Sequence, residues 1–206
     1  MHRKISLAIA LAALAAIAAV PIPAQATTLQ ASGKALASGA ELKWFVALPE
    51  EVVFTAGELG FRCATGEIAG KVIANGGEAA EAELTSGSFG SCRSGPISVH
   101  VVPDNLPGSK VKIQQPDSNG KTILHYERAI VQAQYQVFGF SVWTCHYEAS
   151  NVQQSQNAGS RRSTLEGSEQ FRVMSEISSP ECASTATESG GFEVLSGENG
   201  VTVDMT

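Results

Sequence analysis

Short runs of alternating apolar and polar residues recur along most of the chain. The clearest is VQAQYQV, in which Val131, Ala133, Tyr135 and Val137 alternate with three glutamines. A period of two places the apolar residues on one face of an extended strand and the glutamines on the other, as in an antiparallel strand covered on one side. This segment is therefore predicted to be a half-buried β-strand.

Other strand candidates lie between turn-forming sequences such as NGG from 75, PDNLPG from 103 and PDSNG from 116. Glycine, proline and Asx residues reverse the chain at such points. The candidates share Val, Ile, Thr or aromatic residues in short runs, and they are EVVFTA from 51, EIAGKVIA from 67, EAELTS from 81, PISVHVV from 96, KVKIQQ from 110, KTILHY from 121, FSVWTCHY from 140, TLEGSEQFRVMSEI from 164, GFEVL from 191 and GVTVDM from 200. The polar run SSPECASTATESGG from 178 is interpreted as a connection. About ten strands at this spacing predict an all-β fold, either an antiparallel β-sandwich or an irregular β-barrel.

The segment 1–26 has the pattern of a secretory signal peptide. MHRK is basic, ISLAIALAALAAIAAV is an unbroken apolar run, and PIPAQA ends in a small-residue cleavage site. The run is shorter than the ~20 residues of a membrane-spanning helix, and two prolines follow it. We expect cleavage after Ala26, a secreted, extracellular protein, and no membrane attachment after cleavage.

Residues 27–206 are long enough for one domain with a substantial core. Residues 27–42 are small and polar, and they predict a flexible N-terminal leader. Residues 43–206 are predicted to form a single β-rich domain.

The charge balance after cleavage is acidic. Without Arg3 and Lys4, 12 basic residues stand against 20 acidic residues, a net charge of −8. Nucleic acids and anionic lipids are bound largely by Lys and Arg against phosphates. The composition therefore argues against both as partners.

The four cysteines predict two disulfides. An even count in an exported chain favours bridges over free thiols, although four cysteines allow three pairings. Pairing sequence neighbours closes the shortest loops and predicts Cys63–Cys92 and Cys145–Cys182, each worth about 3 to 4 kcal/mol in the chain-entropy model. Cys145 stands beside His146, but on a strand the two side chains point to opposite faces and cannot share a proton. Cys145 is therefore interpreted as a bridge partner and not as a nucleophile.

The spacing of glycines and cysteines in the first half also carries a resemblance. It rests on Gly57, Cys63, Gly70, Val72, Asn75 and Cys92, and more loosely on FGFSVWTCHYEA. In these respects about two-thirds of the mature chain resembles a group of uncharacterised secreted β-rich four-cysteine proteins of high-GC Gram-positive bacteria. The resemblance implies an exported, disulfide-linked β-domain, and it assigns no functional residue.

The sequence His-Tyr-Glu occurs twice, at 125–127 and at 146–148. On a strand, His125 and Glu127 project to one side, and so do His146 and Glu148. If the two strands were neighbours, these four side chains would offer imidazole and carboxylate ligands to a divalent metal. The apolar phase shifts between the copies, which predicts a bulge or turn there. The alternative is that the histidines face solvent on polar strand faces, and on that interpretation we predict no metal and no other cofactor.

Enzymatic motifs are missing from the sequence. Carboxylates are common, and the candidates for an acid–base pair are Glu50, Glu51, Glu78, Glu81, Glu83 and Glu148, but no G-x-S-x-G elbow or phosphate-binding loop accompanies them. We interpret Trp44, Phe45 and Trp143 as core residues in preference to ligand contacts. The sequence favours a binding, surface-interaction or structural module with an extracellular ligand or surface partner, and it predicts no catalytic residue. The alternatives are an extracellular hydrolase, which would need a cleft with two facing carboxylates, and the metal-binding module.

Overall fold

The computed structural model describes residues 26–114, 117–157 and 159–205, with only the backbone given for 166–170 and 203–205. The predicted signal peptide lies outside the described residues except for Ala26, and it stays a prediction. Thirteen strands and a one-turn 3₁₀ helix (Gly57–Leu59) form the regular structure of this part. The strands are β1 (Thr27–Ala31), β2 (Lys34–Ala35), β3 (Glu41–Val46), β4 (Val52–Thr55), β5 (Phe61–Ala74), β6 (Ala79–Ser94), β7 (Ile97–Pro103), β8 (Lys110–Gln114), β9 (Lys121–Val137), β10 (Phe140–Asn157), β11 (Arg162–Val173), β12 (Thr185–Ser196) and β13 (Asn199–Met205).

Eight strands close into an antiparallel barrel in the order β5, β6, β7, β9, β10, β11, β12 and β3, and β3 pairs with β5 again. Two short strands continue the barrel wall where β3 and β7 end. β4 pairs with β12 and β5, the neighbours of β3, and β8 pairs with β6 and β9, the neighbours of β7. β13, β1 and β2 extend from β12. The predicted all-β fold is confirmed, in its barrel form.

Alternation along the strands places the apolar residues inside the barrel. In β9, Val131, Ala133 and Tyr135 are buried while the intervening glutamines face outward, as VQAQYQV predicted. Trp44 is also buried, as predicted, whereas Trp143 is half-buried with its ring 6.4 Å from that of Tyr135. The barrel therefore has a packed interior to which each of its eight strands contributes side chains.

The change of apolar phase in β9 does not interrupt the strand. Tyr126 and Val131, an odd number of residues apart, are both buried, yet β9 continues from Lys121 to Val137. On the paired strand β10, Asn151 adopts a left-handed conformation with φ of 68°. In both strands the inward-facing positions shift by one residue at the same level of the hairpin. The predicted irregularity is therefore a local distortion shared by β9 and β10, and not a turn.

The expected flexible leader is corrected by the structure. Residues 27–31 form β1, which pairs with β13 at the other end of the chain, and Thr27, Thr28 and Leu29 are buried. Asn75 fixes this segment, because its Oδ1 accepts from Leu29 N at 2.7 Å and its Nδ2 donates to the carbonyls of Leu29 and Leu36. Small polar residues locally resemble a loop, and only pairing with a distant strand makes them a strand.

Within the described residues, no helix is long and apolar enough to cross a membrane.

Candidate functional site

Both predicted disulfides are present. Cys63 and Cys92 are direct partners on β5 and β6, with Cα atoms 4.0 Å apart. Cys145 of β10 is joined to Cys182 in the connection between β11 and β12. The described part of the chain holds no free cysteine. Cys145 is therefore a structural residue, and the adjacent His146 is not the base of a thiol nucleophile.

The second disulfide holds a connection against the barrel wall. Residues 174–184 run beside β10, where Met174 N donates to the His146 carbonyl and Ser179 N to the Thr144 carbonyl, both at 2.8 Å. The hydroxyl of Ser179 accepts from Thr144 N at 2.9 Å. The connection thus takes the place of a strand beside the first half of β10 and gives that half a fixed backbone.

The structure does not bring the two His-Tyr-Glu copies together. They lie on the neighbouring strands β9 and β10, but His125 is opposite Gln153 and His146 is opposite Gln132. The histidines are thus seven positions apart along the hairpin, roughly 23 Å at the rise of a strand. Each ring has its own partner, Asn151 Oδ1 at 2.9 Å from His125 Nδ1 and Gln132 Nε2 at 3.2 Å from His146 Nε2.

The glutamates of these copies are separated as well. Glu127 is exposed, and Glu148 Oε1 accepts from Arg128 Nε at 2.6 Å. Among the described side chains, no group of three His, Cys, Asp or Glu residues is placed to hold a metal ion. The turn of the β9–β10 hairpin sets a register that does not match the sequence repeat, so the four candidate ligands do not form one group.

The other carboxylate candidates lie on the outside of the barrel. Glu50 pairs with Arg162 at 3.3 Å and Glu51 with Arg62 at 3.4 Å. Glu78 is exposed, while Glu81 and Glu83 stand opposite lysines of β8. These positions are typical of solvated surface charges. They offer no facing pair for hydrolysis.

A groove of about 680 Å³ opens where the pairing of β10 and β11 is interrupted after Glu148 and Arg172. Its size is that of a small-molecule site. Two carboxylates line it, those of Glu148 and Glu176, but the first is already held by Arg128. The groove has the volume of a ligand site, and one of these two carboxylates is engaged in an ion pair.

The β9–β10 hairpin ends in two exposed aromatic rings. Its turn is Phe138-Gly139, with φ of 51° and 82°, so both residues are left-handed. Phe138 is 97% exposed and Phe140, the first residue of β10, is 76% exposed. A bulky residue rarely adopts positive φ, and strained backbone of this kind is concentrated at functional sites. We call Phe138, Gly139 and Phe140 the aromatic tip.

The half of the β9–β10 hairpin nearest the aromatic tip, and β7 beside it, carry no formal charge on their outer side. The stretch from Ile130 to Tyr147 contains no Asp, Glu, Lys or Arg, and neither does the stretch 95–103. Cross-strand pairing of β7, β9 and β10 gathers the outward side chains into one surface. We call this surface the charge-free face, and its residues are Ser98, His100, Gln132, Gln134, Gln136, Ser141, Val142, Thr144 and His146.

Sequence reasoning did not single out the aromatic tip. Its signal was the sequence F-G-F at a reversal between two strands, where Asn-Gly is the usual choice. Residues two apart share one face of a continuous strand, but a reversal between them removes that relation, so alternation alone does not place both phenylalanines. Exposure of both became visible only with the turn.

Comparison with known proteins gives no family for this chain. No family model, no curated protein and no solved structure matches it. Its function is therefore inferred from its own residues.

Proposed function

We propose that this protein is an extracellular binding module that docks on a partner protein through the aromatic tip, with the charge-free face around it. The observation that carries the proposal is the exposure of Phe138, 97%, in a two-residue turn and of Phe140, 76%, directly after that turn. Two adjacent phenylalanines in water forgo the stabilisation that burial gives an aromatic side chain, roughly 1.5 to 3 kcal/mol each. A partner protein that covers the two rings recovers this stabilisation.

The surroundings of the aromatic tip support a protein partner. The centres of protein interfaces are depleted in charge and enriched in aromatic residues, and a few aromatic anchors supply most of the affinity. The charge-free face has this composition, with glutamine, serine and threonine around two phenylalanines. Gln134 Nε2 donates to Gln132 Oε1 at 3.3 Å, so part of the polar surface is ordered in advance.

An anionic membrane is the less favourable partner for the same surface. Attraction to anionic lipid headgroups comes from clustered Lys and Arg. The charge-free face has none, and the chain after residue 26 carries 20 acidic against 12 basic residues. The aromatic tip is thus suited to a protein pocket that accepts two rings.

A rigid base supports the aromatic tip. Behind it, the Tyr135 ring packs against Trp143 and the Tyr135 hydroxyl donates to the Leu59 carbonyl. The Cys145–Cys182 bridge fixes the same half of β10. A preorganised anchor loses little conformational entropy on binding, which favours affinity.

Export is part of the proposal and rests on two supports. The segment 1–26 has the signal-peptide pattern, and disulfides persist mainly in oxidising compartments outside the cytosol. All four cysteines are bridged. The partner would therefore be met outside the cell that makes the protein.

Photo-crosslinking in the producing culture tests the proposal. A benzophenone side chain replaces Phe138 in one variant and Leu48 in the control, which is also exposed, at 77%, but lies between β3 and β4 across the barrel. We expect a protein adduct from position 138 and none from position 48. The captured protein, once purified, should bind the wild type. It should bind the Phe140→Ser variant at least tenfold more weakly.

Other outcomes decide against the proposal. Adducts to lipid from position 138 would indicate a membrane surface, and adducts to a second copy of the chain would indicate self-association. Equal protein adducts from both positions, or unchanged affinity of the Phe140→Ser variant, would show that the aromatic tip is not the docking site.

A further inference from the structure

A small cavity lies inside the barrel wall at the level where β7 gives way to β8. Its volume is about 50 Å³. Most of its lining is apolar, including Ile68, Phe89, Leu106, Val152, Leu165 and Phe192, and three polar residues join them, Tyr126, Gln154 and Glu188. An apolar pocket with a few converging polar groups is the usual form of a small-ligand site, and eight-stranded barrels are wide enough to hold one.

One of these polar groups lacks a hydrogen-bond partner in the described part of the chain, and a second faces the same interior. Tyr126 is only 7% exposed, and its buried hydroxyl has no hydrogen-bond partner among the described atoms. Glu188 comes from β12, between the buried residues Ala186 and Phe192 on the inward side of the strand. Most buried polar groups in proteins are hydrogen-bonded, so an orphaned hydroxyl beside a carboxyl indicates an occupant.

The electrostatics of the cavity specify the sign of the occupant. Glu188 is half-buried as a residue and lines the cavity, and desolvation by burial raises the pKa of Glu188 to about 7. Burial also raises the pKa of Tyr126, and the nearby Glu188 charge raises it further. None of the described residues that line the cavity is basic. A carboxylate in this place has no counter-ion among those lining residues, and a bound cation would supply one.

We propose that this cavity binds a small alkylammonium ion, with the ammonium group donating to Glu188 and Tyr126 and the hydrocarbon chain against the apolar wall. The size follows from the volume, since 50 Å³ is the space of a few water molecules. That space admits the ammonium group with a chain of about one to three carbons. Gln154 also lines the cavity, and its Oε1 accepts from Ser163 Oγ at 3.1 Å.

The route to the cavity lies at the β7–β8 connection. Pro103, Ala129 and Ile130 line the cavity and are partly exposed, so it reaches the surface there. Asn105 holds the connection to β9, because its Oδ1 accepts from Ile130 N at 2.8 Å and its Nδ2 donates to the Arg128 carbonyl. A small ion can enter beside this anchored connection without unfolding a strand.

A titration with methylammonium, propylammonium and tetramethylammonium chloride at pH 8 tests the inference. The observed signals are the methyl ¹³C resonances of Val152 and Leu165, which line the cavity, with those of the remote buried Leu42 as internal control. We expect saturable shifts with the first two ions. Tetramethylammonium should give none, because it is too large and has no N–H donor. Propanol, a neutral molecule of similar size, should bind at least tenfold more weakly than propylammonium.

Variants separate a site from a non-specific effect. Glu188→Gln should weaken propylammonium binding at least tenfold, whereas Glu193→Gln, on the outer side of the same strand and paired with Arg161, should not change it. If Glu188→Gln does not fold, Tyr126→Phe keeps the carboxylate and removes one acceptor, and it should weaken binding severalfold. Absence of saturable shifts in the wild type, or equal binding by these variants, would overturn the inference. The aromatic tip plays no part in this test, so the proposed docking function stands or fails separately.

Discussion

Cys63 and Cys92 are direct partners across the β5–β6 pair, with their Cα atoms 4.0 Å apart, so this bridge staples two strands that are already hydrogen-bonded neighbours. The residues are 29 apart in sequence. In the unfolded chain the bridge closes the whole β5–β6 hairpin, and its effect on stability is therefore expected mainly in the unfolded state.

Replacing both cysteines tests this effect. The Cys63→Ala/Cys92→Ala variant should lose about 3 to 4 kcal/mol of the free energy of unfolding, as the chain-entropy model gives for a loop of this length. Urea unfolding followed by tryptophan fluorescence measures it. A loss under about 1 kcal/mol would show that the unfolded hairpin is already compact without the bridge.

The left-handed turn residue Phe138 should be replaceable with a gain in stability. Asn adopts positive φ more readily than Phe, and Asn-Gly is the preferred pair in a two-residue hairpin turn. Phe138→Asn should therefore stabilise the protein by about 0.5 to 1 kcal/mol. Phe138→Val, a β-branched residue, should destabilise it. Thermal unfolding of both variants checks the prediction, and the same direction of change in both would contradict it.

The inward-facing Glu188 should make stability depend on pH. Its pKa is raised from 4.5 to about 7 by burial of the carboxyl group, so the folded state binds the proton more tightly than the unfolded state. Stability should fall as the pH rises from about 4.5 to about 7 and level off above that, with a total loss of up to roughly 3 kcal/mol from this group. Glu188→Gln removes this dependence.

The difference between wild type and the Glu188→Gln variant isolates the group from other titrations. Urea unfolding at pH 4, 6 and 8 should show the variant gaining on the wild type at each step. A difference that stays constant over this range would contradict the burial of the carboxyl group.

Asn75 should be required for ordering of β1. Its side chain makes three hydrogen bonds to the backbone of Leu29 and Leu36. Asn75→Ala leaves those backbone groups without their partner, which should cost about 2 to 3 kcal/mol. Hydrogen exchange at the Leu29 amide should quicken more than at the Val72 amide, which is bonded to the Ala40 carbonyl. Asn119→Ala, in an exposed turn, is the control and should have little effect.

Local pattern was sufficient for much of the barrel wall. The alternation of Val131, Ala133 and Tyr135 with glutamines identified an inward and an outward face before any partner strand was known. The pairing of Cys145 with Cys182 followed from the short loop it closes. These features depend on neighbours in sequence, and so the sequence contains them directly.

Residues 178–191 show where local pattern was insufficient. SSPECASTATESGG has the composition of a connection, yet its second half is part of β12, which closes the barrel against β11. Backbone hydrogen bonds to β11 and β4 stabilise this strand, and its own side chains do not predict it. Glu188 was overlooked for the same reason, since a glutamate in a polar run is expected to be solvated.

By itself the sequence determined that most of the barrel wall is extended, which faces of those strands are apolar and which cysteine pairs close the shortest loops, because a strand's period of two and the length of a loop are local quantities. Only the tertiary structure decided that β1 is a strand, that His125 and His146 lie far apart, that Phe138 and Phe140 both face solvent and that Glu188 faces the interior. These depend on strand register and on closure of the barrel, which are set by contacts between residues distant in the chain.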